Sequence, residues 1–211
     1  MRILVRVSAI LGTLLAAAIC RAEKNADLKP TLIPAATASV KESFEATALP
    51  PAWRVNKGDW QVQDGAVVGK EKAQDMHAAV LTLARPFSAA AVRFSFKRDG
   101  ATGFNLSFNH AKGHLFRIAI ADGGLTLSKD KDKKDPNSKA LVLGKAEGKF
   151  PPDQWHTLLV EVQGDTVSVQ CDNGAKLTGK HVDLNVEKTG YRFVTRGSSL
   201  LIDDLTIWSG K

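Results

Sequence analysis

Short runs in which every second residue is apolar dominate this chain from residue 60 onward. They occur at Trp60 to Val62, Ala66 to Val68, Ala79 to Leu83, Val92 to Lys97, Gly103 to Asn109, Leu115 to Ala121, Leu125 to Ser128, Leu141 to Leu143, Thr157 to Val162, Thr166 to Cys171, Tyr191 to Val194 and Leu200 to Trp208. Gly, Asp, Asn or Pro fills most of the gaps, and no stretch keeps a helical period through three turns. A dozen short strands joined by close turns predict an all-β fold, one antiparallel β-sandwich of the jelly-roll type.

Antiparallel partners must share a face, so the pattern also predicts register. A two-residue Gly164-Asp165 turn pairs Val162 with Val167, Val160 with Val169 and Leu158 with Cys171, and every apolar residue then meets another. Applied to residues 92 to 121, the same test sets Phe94 against Leu106 and Phe108 against Phe116. On the opposite face Arg93, Ser107 and Arg117 then form one row and Ser95, Asn105 and Ala119 the next. Lys97 and Asn109 lie at opposite ends, with a loop from His110 to His114 beyond Asn109. Amides and guanidinium forks on such a face suit the hydroxyls and carboxylates of sugars, although any solvated sheet face also selects polar residues. The candidate ligand-binding residues are therefore Arg93, Lys97, Asn105, Ser107, Asn109, His110, His114 and Arg117. Two arginines flanking Ser107 would stand roughly 10 Å apart, two inter-strand spacings, and would favour an acidic glycan over a neutral one.

The first 22 residues change the picture of where the chain works. Arg2 and Arg6 precede an apolar run from Val7 to Ile19 that is short for a bilayer span, the pattern of an export signal. Cleavage fits after Ala22 or after Cys20, and lipidation of Cys20 is disfavoured by the bulky Ile19. Residues 23 to 40 carry Pro30, Pro34 and several small residues without a period, which reads as a tether, and residues 41 to 211 form the folded domain. The location expected is periplasmic, cell-surface or extracellular. Past Ala22 only Cys171 remains, in the apolar phase of Val167 and Val169, and it reads as a buried small hydrophobe.

The full chain of 211 residues has 29 Lys plus Arg against 22 Asp plus Glu, a formal net charge of +7, and without the first 22 residues the balance is 26 against 22. That is too small and too evenly spread for nucleic-acid binding. Outside the export signal no apolar run could cross a membrane. Specific chemistries also fall away. His110 and His114 have a helical zinc spacing but sit on a hairpin loop, and the Asp130, Asp132, Asp135 series is interrupted by lysines, lacks a glutamate at the twelfth position and reads as a hairpin tip. No metal ligand and no cofactor is expected. There is no nucleophile elbow, phosphate loop or dinucleotide fingerprint. None of the seven glutamates begins the E-x-D-x-x-E strand of the family 16 glycoside hydrolases. The candidate catalytic acids are Asp122, Asp203 and Asp204. Asp203 falls in the inward phase of Leu201, Leu205 and Ile207 unless a bulge intervenes.

The run from Trp60 to Lys70, WQVQDGAVVGK, resembles the W-x-V-x-D-G-x-L-V-G opening of the 3-keto-disaccharide hydrolase domains, which are concanavalin A-like, laminin-G-like sandwiches. Trp155 to Val169 is similar to the W-x-x-L-x-V-x-V-x-G-x-x-V hairpin of that superfamily, and Ile202 to Trp208 to its closing strand. The resemblance spans about residues 42 to 209. It implies a jelly roll and a carbohydrate partner, and for the family itself glycoside hydrolysis. This chain departs from the family's pattern by placing Arg117 at an acidic position and Asn109 at an arginine position. The leading expectation is thus a secreted, non-catalytic carbohydrate-binding module. The alternative is a hydrolase of 3-keto-disaccharides or related modified glycosides, with Asp122, Asp203 or Asp204 as acid or base assisted by His77, His110 or His114.

Overall fold

A computed structural model describes residues 27–33 and 38–209, so the proposed export signal lies outside the described residues. Fifteen strands account for most of the rest: β1 (Val40–Glu42), β2 (Trp53–Lys57), β3 (Asp59–Gln63), β4 (Ala66–Lys70), β5 (Ala79–Leu83), β6 (Ala90–Lys97), β7 (Ala101–His110), β8 (Gly113–Ala121), β9 (Gly124–Lys129), β10 (Leu141–Glu147), β11 (Trp155–Gln163), β12 (Thr166–Cys171), β13 (Lys176–Lys180), β14 (Tyr191–Gly197) and β15 (Leu200–Ser209). The helical content among the described residues is two single turns, Ala73–Asp75 and Val182–Leu184. One sheet runs β13-β12-β11-β6-β15-β4-β3, with β1 added to β15, and the other runs β10-β9-β8-β7-β14-β5-β2. Every pairing is antiparallel, and the two sheets close face to face over one aromatic-rich core.

All twelve alternating runs are strands. β1, β2 and β13 are additional and carry too little alternation to be read from sequence: β2 buries only Trp53, and β13 only Leu177 and Gly179. The hairpin register is as expected, with Val162 opposite Val167, Val160 opposite Val169 and Leu158 opposite Cys171. In β3 and β4 the Asp64-Gly65 turn has both residues at positive φ, the hairpin geometry that favours Asp-Gly. Trp60 pairs with Gly69, and a β-carbon added at Gly69 would lie 2.3 Å from the Trp60 ring. The tryptophan-to-glycine spacing of this motif is therefore a packing requirement.

The register expected for residues 92 to 121 is half right. β7 and β8 pair as expected, Phe108 with Phe116 and Ser107 with Arg117. Phe94 does not pair with Leu106: β6 lies in the other sheet between β11 and β15, with Phe94 opposite Leu158. The three residues between β6 and β7 carry the chain from one sheet to the other. Phe94 consequently meets β7 across the sandwich, edge-on to Phe104 with ring centroids 6.0 Å apart, and packs likewise on Phe193 at 5.3 Å. Alternation fixes which face is buried, and a facing strand satisfies it as well as a neighbouring one does.

The bulge proposed near Asp203 is present between Asp203 and Thr206, where the β15–β6 register shifts. Asp204 takes φ 49°, and its N–H donates to Asp203 Oδ1 at 2.7 Å. Residues 27–33, part of the segment read as a tether, lie on the outer face of the β6-containing sheet. There Ile33 packs with Ala91 and Leu159, and the N–H groups of Thr31 and Leu32 donate to the fully buried Glu161 carboxylate at 2.5 and 3.1 Å.

Candidate functional site

The inward phase of Tyr191 and Phe193 turns Arg192 and Val194 outward, and β14 lies directly beside β7. Register then aligns Thr82, Arg192, Ser107, Arg117 and Ser128 across five strands. The next row is Val80, Val194, Asn105, Ala119 and Thr126. Two arginines do flank Ser107, with Arg192 in the place expected of Arg93. Asn105, Ser107, His114 and Arg117 from the expected set line a cleft of ≈ 250 Å³ here, joined by Arg192, Arg196, His77 and the apolar Val80 and Val194. Asn109 stands at the end of this face, opposite His114. His110 lines an adjoining depression with His114, Lys129 and Asp130.

Arg93 and Lys97 belong elsewhere. Arg93 lies on the outer face of the other sheet, donating to the Leu28 carbonyl at 3.2 Å and stacking 5.4 Å from the Trp208 ring. Lys97 stands 5.8 Å from the Trp155 ring on that same sheet. The sequence missed Arg192 because nothing local indicates that β14 inserts beside β7. The usable signal was its outward phase between two inward aromatics.

The two central arginines are not equivalent. Arg117 is held by Asp130, its Nε donating to Oδ1 at 2.9 Å and its Nη2 donating to the same oxygen. Arg192 has no carboxylate within ion-pair distance among the described residues, and its Nη1 lies 3.3 Å from His114 Nδ1. Burial draws Arg192 below the ordinary arginine range and, together with the Arg192 charge, draws His114 below 6.5. The same His114 Nδ1 also faces Asn109 Oδ1 at 3.1 Å, so the ring nitrogen sits between a guanidinium and an amide oxygen. On the opposite rim His77 Nδ1 donates to the Ala78 carbonyl at 2.7 Å. Arg196 pairs with Glu71 at 3.5 Å. The lining thus presents one guanidinium without a carboxylate partner among the described residues, two imidazoles and short amide and hydroxyl groups.

The candidate acids are dispersed. Asp122 is on the β8–β9 turn, bound by the buried Arg98 and with its own side chain 92% exposed. Asp203 is buried in β15, and Asp204 lines a separate depression with Lys41, Glu42 and Arg93. No two of the three share the cleft.

No family model matches the sequence, and a search of curated proteins gives no significant match. Solved structures match over most of the chain. The carbohydrate-binding module CBM66 from Bacillus subtilis superposes with TM-score 0.59 at 14% identity, covering 77% of this chain and 97% of its own. Porphyranase B from Zobellia galactanivorans gives 0.60 at 12%, covering 80% and 90%. SCLam, a non-specific endo-β-1,3(4)-glucanase of family GH16, gives 0.58 at 12%, covering 87% and 95%. The chain is a jelly-roll sandwich. At these identities the likeness establishes the fold, and the chemistry must be argued from the cleft itself.

Proposed function

We propose that this chain is an exported, non-catalytic carbohydrate-binding module that lays an anionic glycan across the outer face of the β10-to-β2 sheet. The observation that carries the reading is the Arg192-Ser107-Arg117 row, in which Arg192 faces the cleft without a carboxylate partner among the described residues. A uronate or sulfate supplies that partner by a charge-assisted, bidentate bond about twice as strong as a neutral one. Asn105, Ser107 and His77 then bond ring hydroxyls, and Val194 meets the C–H surface of a sugar. The cleft lining contains no carboxylate pair to serve as acid and nucleophile or base, which favours binding over hydrolysis. Among proteins of the same fold, one is named a carbohydrate-binding module, and porphyranase B and an alginate lyase carry names pointing to acidic polysaccharides. The basic, then apolar, N-terminal segment supports export.

Calorimetry with oligouronate, sulfated and neutral oligosaccharides at two salt concentrations tests the reading. The anionic ligands should bind more tightly, with affinity falling as salt rises, and a parallel product assay should detect no cleavage. Equal, salt-independent affinities would reduce the arginines to solvated surface, and turnover abolished by Asp122→Asn with folding intact would promote the hydrolase.

A further inference from the structure

At the end of the β11–β12 hairpin remote from the Gly164-Asp165 turn, His156, Cys171 and Asp172 meet, and their donor atoms, one from each, lie within 4.8 Å of one another. Hairpin register makes the cluster. His156 stands two residues before Leu158 and shares its inward phase, and Leu158 lies opposite Cys171, so the close of β12 brings sulfur and carboxylate to the imidazole. The carboxylate is fixed before any ligand arrives. Asp172 Oδ2 accepts the Thr157 N–H at 2.7 Å, and the Asp172 N–H donates to the Thr157 carbonyl at 3.1 Å. Asp172 Oδ1 is left 3.3 Å from both His156 Nδ1 and Cys171 Sγ. A tight turn, in which the Cys171 N–H donates to the Ala175 carbonyl at 2.9 Å, holds the backbone of the cysteine.

We propose that His156, Cys171 and Asp172 bind a single zinc-class divalent ion, clamping the start of β11 to the end of β12. Imidazole nitrogen, thiolate and carboxylate are the donors zinc accepts; the two 3.3 Å separations from Asp172 Oδ1 suit donors sharing one small ion at about 2.0 to 2.3 Å each, and the imidazole and sulfur start within 4.8 Å of one another. A second observation points the same way. His156 is 6% exposed, and its Nε2 has no hydrogen-bond partner. The imidazole packs against Phe150 and Phe96, whose ring centroids lie 5.1 and 5.7 Å away. A metal held on Nδ1 fixes the tautomer with the proton on Nε2, which can then meet the aromatic rings as an N–H. The thiol proton leaves to solvent as sulfur takes the ion. Asp172, with its side chain 23% exposed, gives the ion its way in, and the fourth position is open to water. Sequence spacing alone left Cys171 as a core hydrophobe, because the trio forms only across the hairpin.

The test is titration of the chelator-treated full chain with Co²⁺ and then Zn²⁺. One equivalent of Co²⁺ should produce a thiolate-to-cobalt charge-transfer band that Zn²⁺ removes, and Zn²⁺ should raise the melting temperature. Cys171→Ala should lose the band, Asp172→Asn should weaken binding about 10- to 100-fold, and Cys20→Ser should change neither. X-ray absorption of the unmutated, zinc-loaded chain should show one sulfur at about 2.3 Å with nitrogen or oxygen neighbours, a result that does not depend on any variant folding. A shell without sulfur, or a band that survives Cys171→Ala, would overturn the proposal. Glycan affinity is read independently, since the cleft is on the other sheet.

Discussion

The outer faces of the two sheets carry similar residues and come to opposite ends. Each presents an outward arginine at the middle of a strand, Arg93 in β6 and Arg117 in β8. On the β6 face residues 27–33 cross the sheet, Ile33 is 2% exposed, and Arg93 is spent on the Leu28 carbonyl and the Trp208 ring. On the β8 face the arginines border a cleft of ≈ 250 Å³. An outward-phase arginine is thus a structural strut or a ligand-binding group depending on what passes over it, and residue type alone does not distinguish the two.

The largest expected effect separates the faces by stability. Ile33→Ala creates a cavity under the crossing segment, and Glu161→Ala orphans the Thr31 and Leu32 N–H groups. Each should lower unfolding free energy by about 2–4 kcal/mol in urea titrations, whereas Arg192→Ala should change it by less than about 1 kcal/mol. Losses under about 1 kcal/mol for Ile33→Ala and Glu161→Ala would mean that residues 27–33 add nothing to the fold. Affinity should show the reverse order. Arg192→Ala should weaken binding of a sulfated oligosaccharide about 10- to 100-fold, the loss of a charge-assisted bond worth about 1.5–3 kcal/mol, while Arg93→Ala leaves it unchanged in the same calorimetry.

A smaller effect sharpens the comparison through pH. Because His114 is held below 6.5, the folded chain binds fewer protons than the unfolded chain at acid pH. The stability linked to this group is complete above 6.5 and is lost as pH falls through the lowered value. A bound sulfate favours the imidazolium, so affinity should rise with acidification below pH 6.5, and His114→Gln should flatten the profile. A flat profile in the unmutated chain would remove His114 from the site. Least of all in affinity, Asp122→Asn should leave glycan binding unchanged, since Asp122 lies outside the cleft and its partner is the buried Arg98.

Much of this architecture was legible without coordinates. Side chains alternate with period two, so twelve strands, most of their buried faces and the Gly164 hairpin register could be read directly; the bulge at Asp203 followed from one carboxylate in an apolar phase, and it reverses the phase expected of Leu201, so that Leu200 and Ile202 turn inward instead. Four cleft residues, Asn105, Ser107, His114 and Arg117, were legible because β7 and β8 are joined by a tight turn and must pair. Arg93 and Lys97 were misplaced for a physical reason: β6 is also followed by a short connection, three residues against two, but that connection switches sheets, and period two is blind to the switch.

The sequence by itself determined the all-β class, the inward and outward sets of each strand and the local hairpins, because these depend on nearest-neighbour geometry and on burial. Tertiary structure decided which strands became neighbours. It placed Arg192 beside Ser107 from 85 residues away in the chain, laid residues 27–33 over Arg93, and closed His156, Cys171 and Asp172 into one cluster. Such long-range pairings are chosen by how two sheets share one core, and no local pattern in the chain encodes that choice.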